Sequence, residues 1–299
     1  MPVVYLDTVV HSELDAREQG RTAAQVTEDE ARDLWAAIRN GRVLVRTSPV
    51  VLDELTGELE NDRSAVVRKF RIARDLGNGF HAMLKAPADL MRDAIRAYAD
   101  GTINPPDILL PEPERAAVVA AVADVCAGST RRDRELTLIT LYVGELKDKW
   151  KASMREGQAE VLSKIGWDRR SSEDRRALTF QMFFETGAKS LAEGFAESLG
   201  CAEACRRRGL DGLVAVPAVR LCVGVAMSQI YAQVVGEGQG QVRYAHRNDG
   251  YDLWHAILGS TAEIFVTFDH RLADHLERIP NLTGFRVVRS VGELLRLIK

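Results

Sequence analysis

The chain has 299 residues and a mass of 33.1 kDa, with 46% hydrophobic residues, 28% charged residues, a net charge of −3 and a pI of about 6.1. This composition is typical of a globular protein with a sizeable core and excludes an intrinsically disordered chain. The net charge of −3 also excludes a positive electrostatic field over the whole molecule. A nucleic-acid partner would therefore have to bind a local basic patch, or metal ions that neutralise an acidic pocket.

The sequence shows neither a membrane span nor an oxidised-cysteine framework. No apolar run approaches the ~20 residues that a bilayer-spanning helix needs, and the first ten residues lack the basic region of a signal peptide. The four cysteines, Cys126, Cys201, Cys205 and Cys222, form no C-x-x-C pair and lack a partner pair at zinc-site spacing. We therefore expect a cytoplasmic protein with reduced thiols and no membrane partner.

Short strands alternate with helices in the first part of the chain. The predicted elements are strands at residues 3–6 and 43–45 and helices at residues 27–40, 48–59 and 64–76. The strands are short and rich in β-branched residues. Thr27 and Glu30 occupy the two positions of a capping box, and Ser48-Pro49 places an N-cap serine before a proline at the first helical position.

The middle of the chain has a helix-favouring composition, and strand character returns near its end. Helices are predicted at residues 116–127, 133–164, 172–187, 191–207, 250–260 and 291–298, and strands at residues 264–268 and 285–288. Because strands and helices alternate at both ends, the sequence predicts an α/β fold with a parallel sheet wrapped by helices. Residues 1–85 and 241–299 would form this α/β domain, and residues 86–240 a large helical insertion or subdomain.

Four acidic residues lie at the ends of these elements. Asp7 follows the first strand and Asp269 follows the strand at residues 264–268, while Glu54 and Asp252 lie in early turns of helices. Parallel sheets bind ligands beyond the carboxyl ends of their strands, so we expect the four carboxylates to share one crevice. Clustered carboxylates repel each other unless a cation compensates, and Mg²⁺ and Mn²⁺ prefer carboxylate oxygens. The pattern therefore predicts a Mg²⁺ or Mn²⁺ site suited to phosphodiester hydrolysis.

The residues that carry this pattern resemble those of PIN-domain ribonucleases. The matching segments are VYLDT at residues 4–8, SPVVLDEL at 48–55, NDGYDLWH at 248–255 and FVTFD at 265–269. The resemblance covers the two ends of the chain, roughly residues 1–80 and 245–299. It implies a PIN-like fold and metal-dependent cleavage of RNA, and it leaves open an antitoxin-like protein inhibitor or a homodimer. It assigns the metal ligands and one supporting hydroxyl as Asp7, Glu54, Asp252, Asp269 and Thr267.

The sequence departs from the family in two ways and leaves several roles open. Val9 stands where the family often has asparagine, and the helical block makes the chain unusually long. Asp249 would be either a further ligand or a helix cap. His255, one turn after Asp252, would either approach the metals or a phosphate, or pack as an ordinary helix histidine.

Other functions compete with the nuclease. One alternative is a non-catalytic PIN-like module that binds RNA or a protein partner. Another is that the acids are only turn and helix-end residues, which the helix dipole favours. A phosphatase of haloacid-dehalogenase type is disfavoured, because its chemistry needs a second aspartate at the position of Val9.

Overall fold

A parallel sheet of four strands organises the part of the chain that the structure describes. The computed structural model describes residues 1–56, 62–102, 106–131, 134–135, 159–164, 166–234 and 249–298. The strands are β1 (Val3–Leu6), β2 (Leu44–Arg46), β3 (Ile264–Val266) and β4 (Arg286–Val288), in the order β2-β1-β3-β4. Val4 lies opposite Val45 on one side and Ile264 on the other, so the two ends of the chain share one sheet. The predicted α/β class with a parallel sheet is confirmed.

Helices from the first part of the chain cover the sheet. They are α1 (Thr8–Glu18), α2 (Glu28–Arg39), α3 (Pro49–Leu55) and α4 (Arg63–Leu76). The capping box of Thr27 and Glu30 is confirmed, and Ser48 caps α3 with Pro49 at its first position. Helix α1 is not predicted from the sequence, because its apolar residues do not follow a clear helical period. Asp7, which the sequence predicts to end β1 and to bind a metal ion, is also the N-cap of this helix.

The middle of the chain is helical in the residues that the structure describes. After α5 (Pro87–Asp100) and α6 (Glu112–Cys126), a 3-10 turn (Trp167–Arg169) is followed by α7 (Ser172–Ala177), α8 (Phe180–Ser198), α9 (Ala202–Arg208), α10 (Leu210–Ala215) and α11 (Pro217–Val234). The continuous helix predicted at residues 172–187 is wrong, because Leu178 is extended and Thr179 caps a new helix. The helix predicted at residues 191–207 is also wrong. It is interrupted at Gly200, whose φ of +70° suits glycine far better than other residues.

Part of the predicted helical block lies outside the described residues. The helix expected at residues 133–164 falls mostly in this category. At the end of the chain, the predicted alternation is confirmed by α12 (Asp249–Gly259), α13 (His270–Glu277) and α14 (Val291–Leu297) around β3 and β4. Among the described helices, none is both long enough and apolar enough to cross a bilayer.

Two hydrophobic clusters lie on opposite faces of the sheet, as the alternation of side chains along a strand requires. Val4 and Leu6 pack into one cluster with residues of α1, α2 and α14, whereas Tyr5 and Phe265 pack into the other. The second cluster continues into the helices of the middle segment, and α11 contacts α8, α12 and α13 within it. The contact is close where α12 meets the sheet, because a Cβ on Gly259 would overlap the Phe265 ring. This packing fixes the C-terminal end of α12 against β3.

Candidate metal centre

An open cleft lies at the carboxyl ends of β1 and β3. Its lining includes all four acids that the sequence predicts to share a site: Asp7, Glu54, Asp252 and Asp269. Asp7 directly follows β1, and Asp269 lies three residues beyond the end of β3. Glu54 comes from α3, which follows β2, and Asp252 comes from the first turn of α12. The fold therefore brings into one cleft carboxylates from four separate segments of the chain.

Within this cleft, two of the acids converge on a histidine. Asp7, Glu54 and His255 each present a ligand atom, and these atoms all lie within 4.8 Å of one another. Nε2 of His255 is 2.8 Å from Oε2 of Glu54 and 3.5 Å from Oδ1 of Asp7. Neighbouring ligand atoms around an octahedral ion with bonds of ~2.1 Å are roughly 3 Å apart. The spacing and the donor chemistry of these three side chains therefore fit a divalent ion.

Hydroxyl groups orient the three converging side chains. The Thr267 hydroxyl donates to Oδ2 of Asp7 at 2.7 Å, and the Thr8 backbone N–H donates to Oδ1 of Asp7 at 2.6 Å. The Thr8 hydroxyl donates to Oε2 of Glu54. On the far side of the imidazole, the Tyr5 hydroxyl lies 2.8 Å from Nδ1 of His255. Such outer contacts hold ligands in position before a metal arrives. Thr267 thus contacts an acid of the site, in line with the supporting role that the sequence assigns to it.

Asp252 and Asp269 line the cleft but are held by other partners. Oδ2 of Asp252 accepts a hydrogen bond from Nε2 of Gln229 at 3.1 Å, and the Arg271 guanidinium lies 3.8 Å away. Oδ1 of Asp269 accepts from the backbone N–H groups of Arg271 and Leu272, which caps α13. Neither acid belongs to the converging group of three. The predicted four-carboxylate set is therefore arranged as an inner pair with a histidine and two acids on the wall.

Burial and the interactions between neighbouring charged groups shift the pKa values of the site residues. The pKa of Asp7 is raised, first because the carboxyl is buried and then because Glu54 is close, although His255 and Thr267 oppose the rise. Burial lowers the pKa of His255, but the carboxylates of Glu54 and Asp7 outweigh it and raise this pKa to about 9. In the metal-free protein the imidazolium therefore offsets part of the negative charge. A metal ion would relieve the same repulsion.

The sequence gives no signal for one residue of the site, leaves two positions open for a second, and leaves the role of a third open. Lys69 of α4 is only 6% exposed and lines the cleft, although the sequence offers no signal that singles it out. Lysine is almost never buried without a charged neighbour, so its place beside the acids is consistent with their charge. His255 could be found from its spacing of one helical turn after Asp252, but its convergence with Glu54 needs the folded chain. Asp249 begins α12, and its side chain lies outside the described structure.

Comparison of the chain with models of known protein families, with curated proteins and with solved structures finds no significant match. The functional argument therefore depends on the geometry of this cleft.

Proposed function

We propose that this protein is a metal-dependent nuclease of PIN-like type that hydrolyses phosphodiester bonds, with RNA as the preferred substrate. One observation supports this proposal above all others. Acids from both ends of the chain, Asp7, Glu54, Asp252 and Asp269, line a single open cleft at the carboxyl end of a parallel sheet. Such a cluster is costly without a cation, and hard divalent ions are the cations that carboxylates bind best.

In the proposed reaction, the acidic residues bind the metal ion and Lys69 contacts the substrate. Asp7 and Glu54 would hold a divalent ion, and Thr267 keeps Asp7 aimed into the cleft. The bound ion would lower the pKa of a water molecule and neutralise charge on the phosphate. Lys69 would contact a substrate phosphate, because it is a cation on the wall of a cleft that four carboxylates line.

The other two acids, Asp252 and Asp269, lie on the wall of the cleft. Asp252 is fixed by Gln229, and Asp269 is fixed by its cap of α13. Both line the same cleft as the converging group, where they would hold water molecules of an ion's hydration shell or a second ion, as two-metal phosphodiester hydrolysis requires. The openness of the cleft suits a polymer substrate, which has to pass through the site rather than be enclosed by it.

The matched pair Glu54→Gln and Asp53→Asn tests this proposal. The two acids are adjacent in α3, but only Glu54 lines the acidic cleft, whereas Asp53 lines an apolar cavity. The purified full chain with Mn²⁺ should cleave end-labelled single-stranded RNA. Glu54→Gln should reduce cleavage to background, while Asp53→Asn should retain it. Equal activity of the wild type and Glu54→Gln would refute the assignment.

Two further outcomes separate the competing functions. Cleavage of DNA but not of RNA would contradict the RNA preference and leave the hydrolase intact. RNA binding without cleavage at any Mn²⁺ or Mg²⁺ concentration would instead identify a non-catalytic binding module. Asp269→Asn is a useful second variant, because asparagine also caps helices well and the change removes charge without removing the cap of α13.

A further inference from the structure

We infer that His255 is itself a metal ligand, and that its imidazole makes the site select Mn²⁺ over Mg²⁺. This inference rests on the metal site of the proposed function and narrows the identity of its ion. The sequence leaves His255 open between a role near the metals and ordinary packing, and its acids alone suit either ion. The arrangement of the folded chain distinguishes the two ions, because one of the three converging donor atoms is a nitrogen.

The position of the imidazole is the first argument. His255 is 3% exposed, and its Nε2 points between Glu54 and Asp7, at 2.8 Å and 3.5 Å from their nearest oxygen atoms. In the metal-free protein this placement pairs the imidazolium with two carboxylates that are themselves buried or half-buried, and it keeps Nε2 at the position where their oxygen atoms converge. An ion bound by both carboxylates would lie within reach of this nitrogen.

The contact at the other ring nitrogen is the second argument. The Tyr5 hydroxyl lies 2.8 Å from Nδ1 and is itself buried in the core. Histidine ligands almost always hydrogen-bond through the nitrogen that does not bind the metal, which fixes the orientation of the ring. Tyr5 would therefore be a positioning residue for His255. The hydrogen bond of Thr267 to Asp7 has the equivalent function on the carboxylate side.

The donor set then predicts which ion is preferred. Mg²⁺ takes oxygen ligands almost exclusively and gives up its hydration water reluctantly. An imidazole nitrogen adds little to the binding of Mg²⁺ and more to the binding of first-row transition ions, of which Mn²⁺ is the weakest binder. One nitrogen beside two carboxylates therefore shifts the preference from Mg²⁺ towards Mn²⁺. A site built from carboxylates alone would lack this bias.

Pulsed electron paramagnetic resonance of the Mn²⁺-loaded full chain tests the inference without any substitution. A directly bound imidazole nitrogen gives ¹⁴N modulation of the Mn²⁺ echo, which changes when the protein is labelled with ¹⁵N-histidine. We expect this signal in the wild type and its loss in His255→Asn. His275→Asn is the matched control, because His275 is also buried but hydrogen-bonds to Ser228, and it does not line the cleft. This variant should keep the signal.

Calorimetric titration with Mn²⁺ and Mg²⁺ provides the second measurement. His255→Asn should weaken Mn²⁺ binding by at least about 10-fold and change Mg²⁺ binding much less, and Tyr5→Phe should weaken Mn²⁺ binding by about 10-fold. Mn²⁺ binding with no nitrogen modulation, and with unchanged selectivity in His255→Asn, would overturn the inference while leaving the carboxylate site of the proposed function in place. No binding of either ion would overturn both.

Discussion

Replacing Asp53 by asparagine is expected to stabilise the metal-free protein at neutral and alkaline pH. Asp53 lies in α3 beside Glu54, and its half-buried carboxyl lines a cavity formed largely by apolar side chains, among them Leu52 and Phe70. Burial is the main cause, and the nearby Glu54 the second, of a pKa that is raised to about 7. The ionised form of Asp53 is therefore unfavourable in the folded chain.

The magnitude follows from the difference between the folded and unfolded pKa values. A pKa of about 7 against an ordinary value of 3.8 is a difference of about 3 pH units, which sets a ceiling of about 4 kcal/mol. Partial exposure lowers this figure through solvent screening, so we expect about 1–3 kcal/mol. The folded protein retains the Asp53 proton where the unfolded chain has lost it. The contribution of Asp53 to wild-type stability should consequently fall as the pH rises from about 4 to about 7, and this loss should stay constant above that.

Urea denaturation of the wild type and Asp53→Asn, in the presence of a chelator, measures this effect. The difference in the free energy of unfolding should be small near pH 4, grow until about pH 7 and then level off. A difference that does not change with pH, or an asparagine variant less stable than the wild type at about pH 8, would refute the reasoning. Asp53→Asn is also a control for the metal site, because this variant should bind Mn²⁺ with the same affinity as the wild type.

Three further substitutions test other contacts. Thr267→Val should weaken Mn²⁺ binding by about 10–100-fold in calorimetry because it removes a hydrogen bond to Asp7, and unchanged affinity would exclude the orienting role. Lys69→Met should lower RNA affinity and reduce the slope of log K against log salt by about 0.7, with Lys69→Arg retaining most of both; an unchanged slope would exclude a phosphate contact. Arg68→Met should cost about 2 kcal/mol of unfolding free energy, because it leaves fully buried Asp15 with one arginine partner instead of two. If urea denaturation finds Arg68→Met as stable as the wild type, the remaining arginine alone is enough to compensate the buried charge of Asp15.

Local signals explain which elements of the fold can be predicted from the sequence. The capping box at Thr27 and the pair Ser48-Pro49 place two helix starts correctly, because caps depend on only a few neighbouring residues. Gly200 is a local signal of the same kind that marks the break between α8 and α9, since a left-handed glycine commonly ends a helix. Helix α1 is harder to predict, because its burial against α4 is a tertiary contact that its own sequence period does not reveal.

The candidate site shows the same division between local and long-range information. The position of Asp7 after β1 and of Asp269 after β3 follows from strand patterns and from the general rule for parallel sheets. The convergence of His255 with Glu54 does not, because it depends on how α12 and α3 pack over the sheet. The burial of Lys69 in the cleft wall also depends on packing between distant segments. Sequence patterns can therefore indicate which end of the sheet carries the site, while the ligand geometry requires the folded chain.

Anomalous X-ray diffraction at the manganese absorption edge, from crystals of the full chain soaked in Mn²⁺, tests the central claim most directly. We expect an anomalous peak between the carboxylates of Asp7 and Glu54, within bonding distance of Nε2 of His255. Crystals of Asp7→Asn, which keeps an N-cap for α1, should lose the peak. A cleft without a peak at saturating Mn²⁺, or a peak bound elsewhere on the chain, would contradict the metal site and the nuclease function proposed from it.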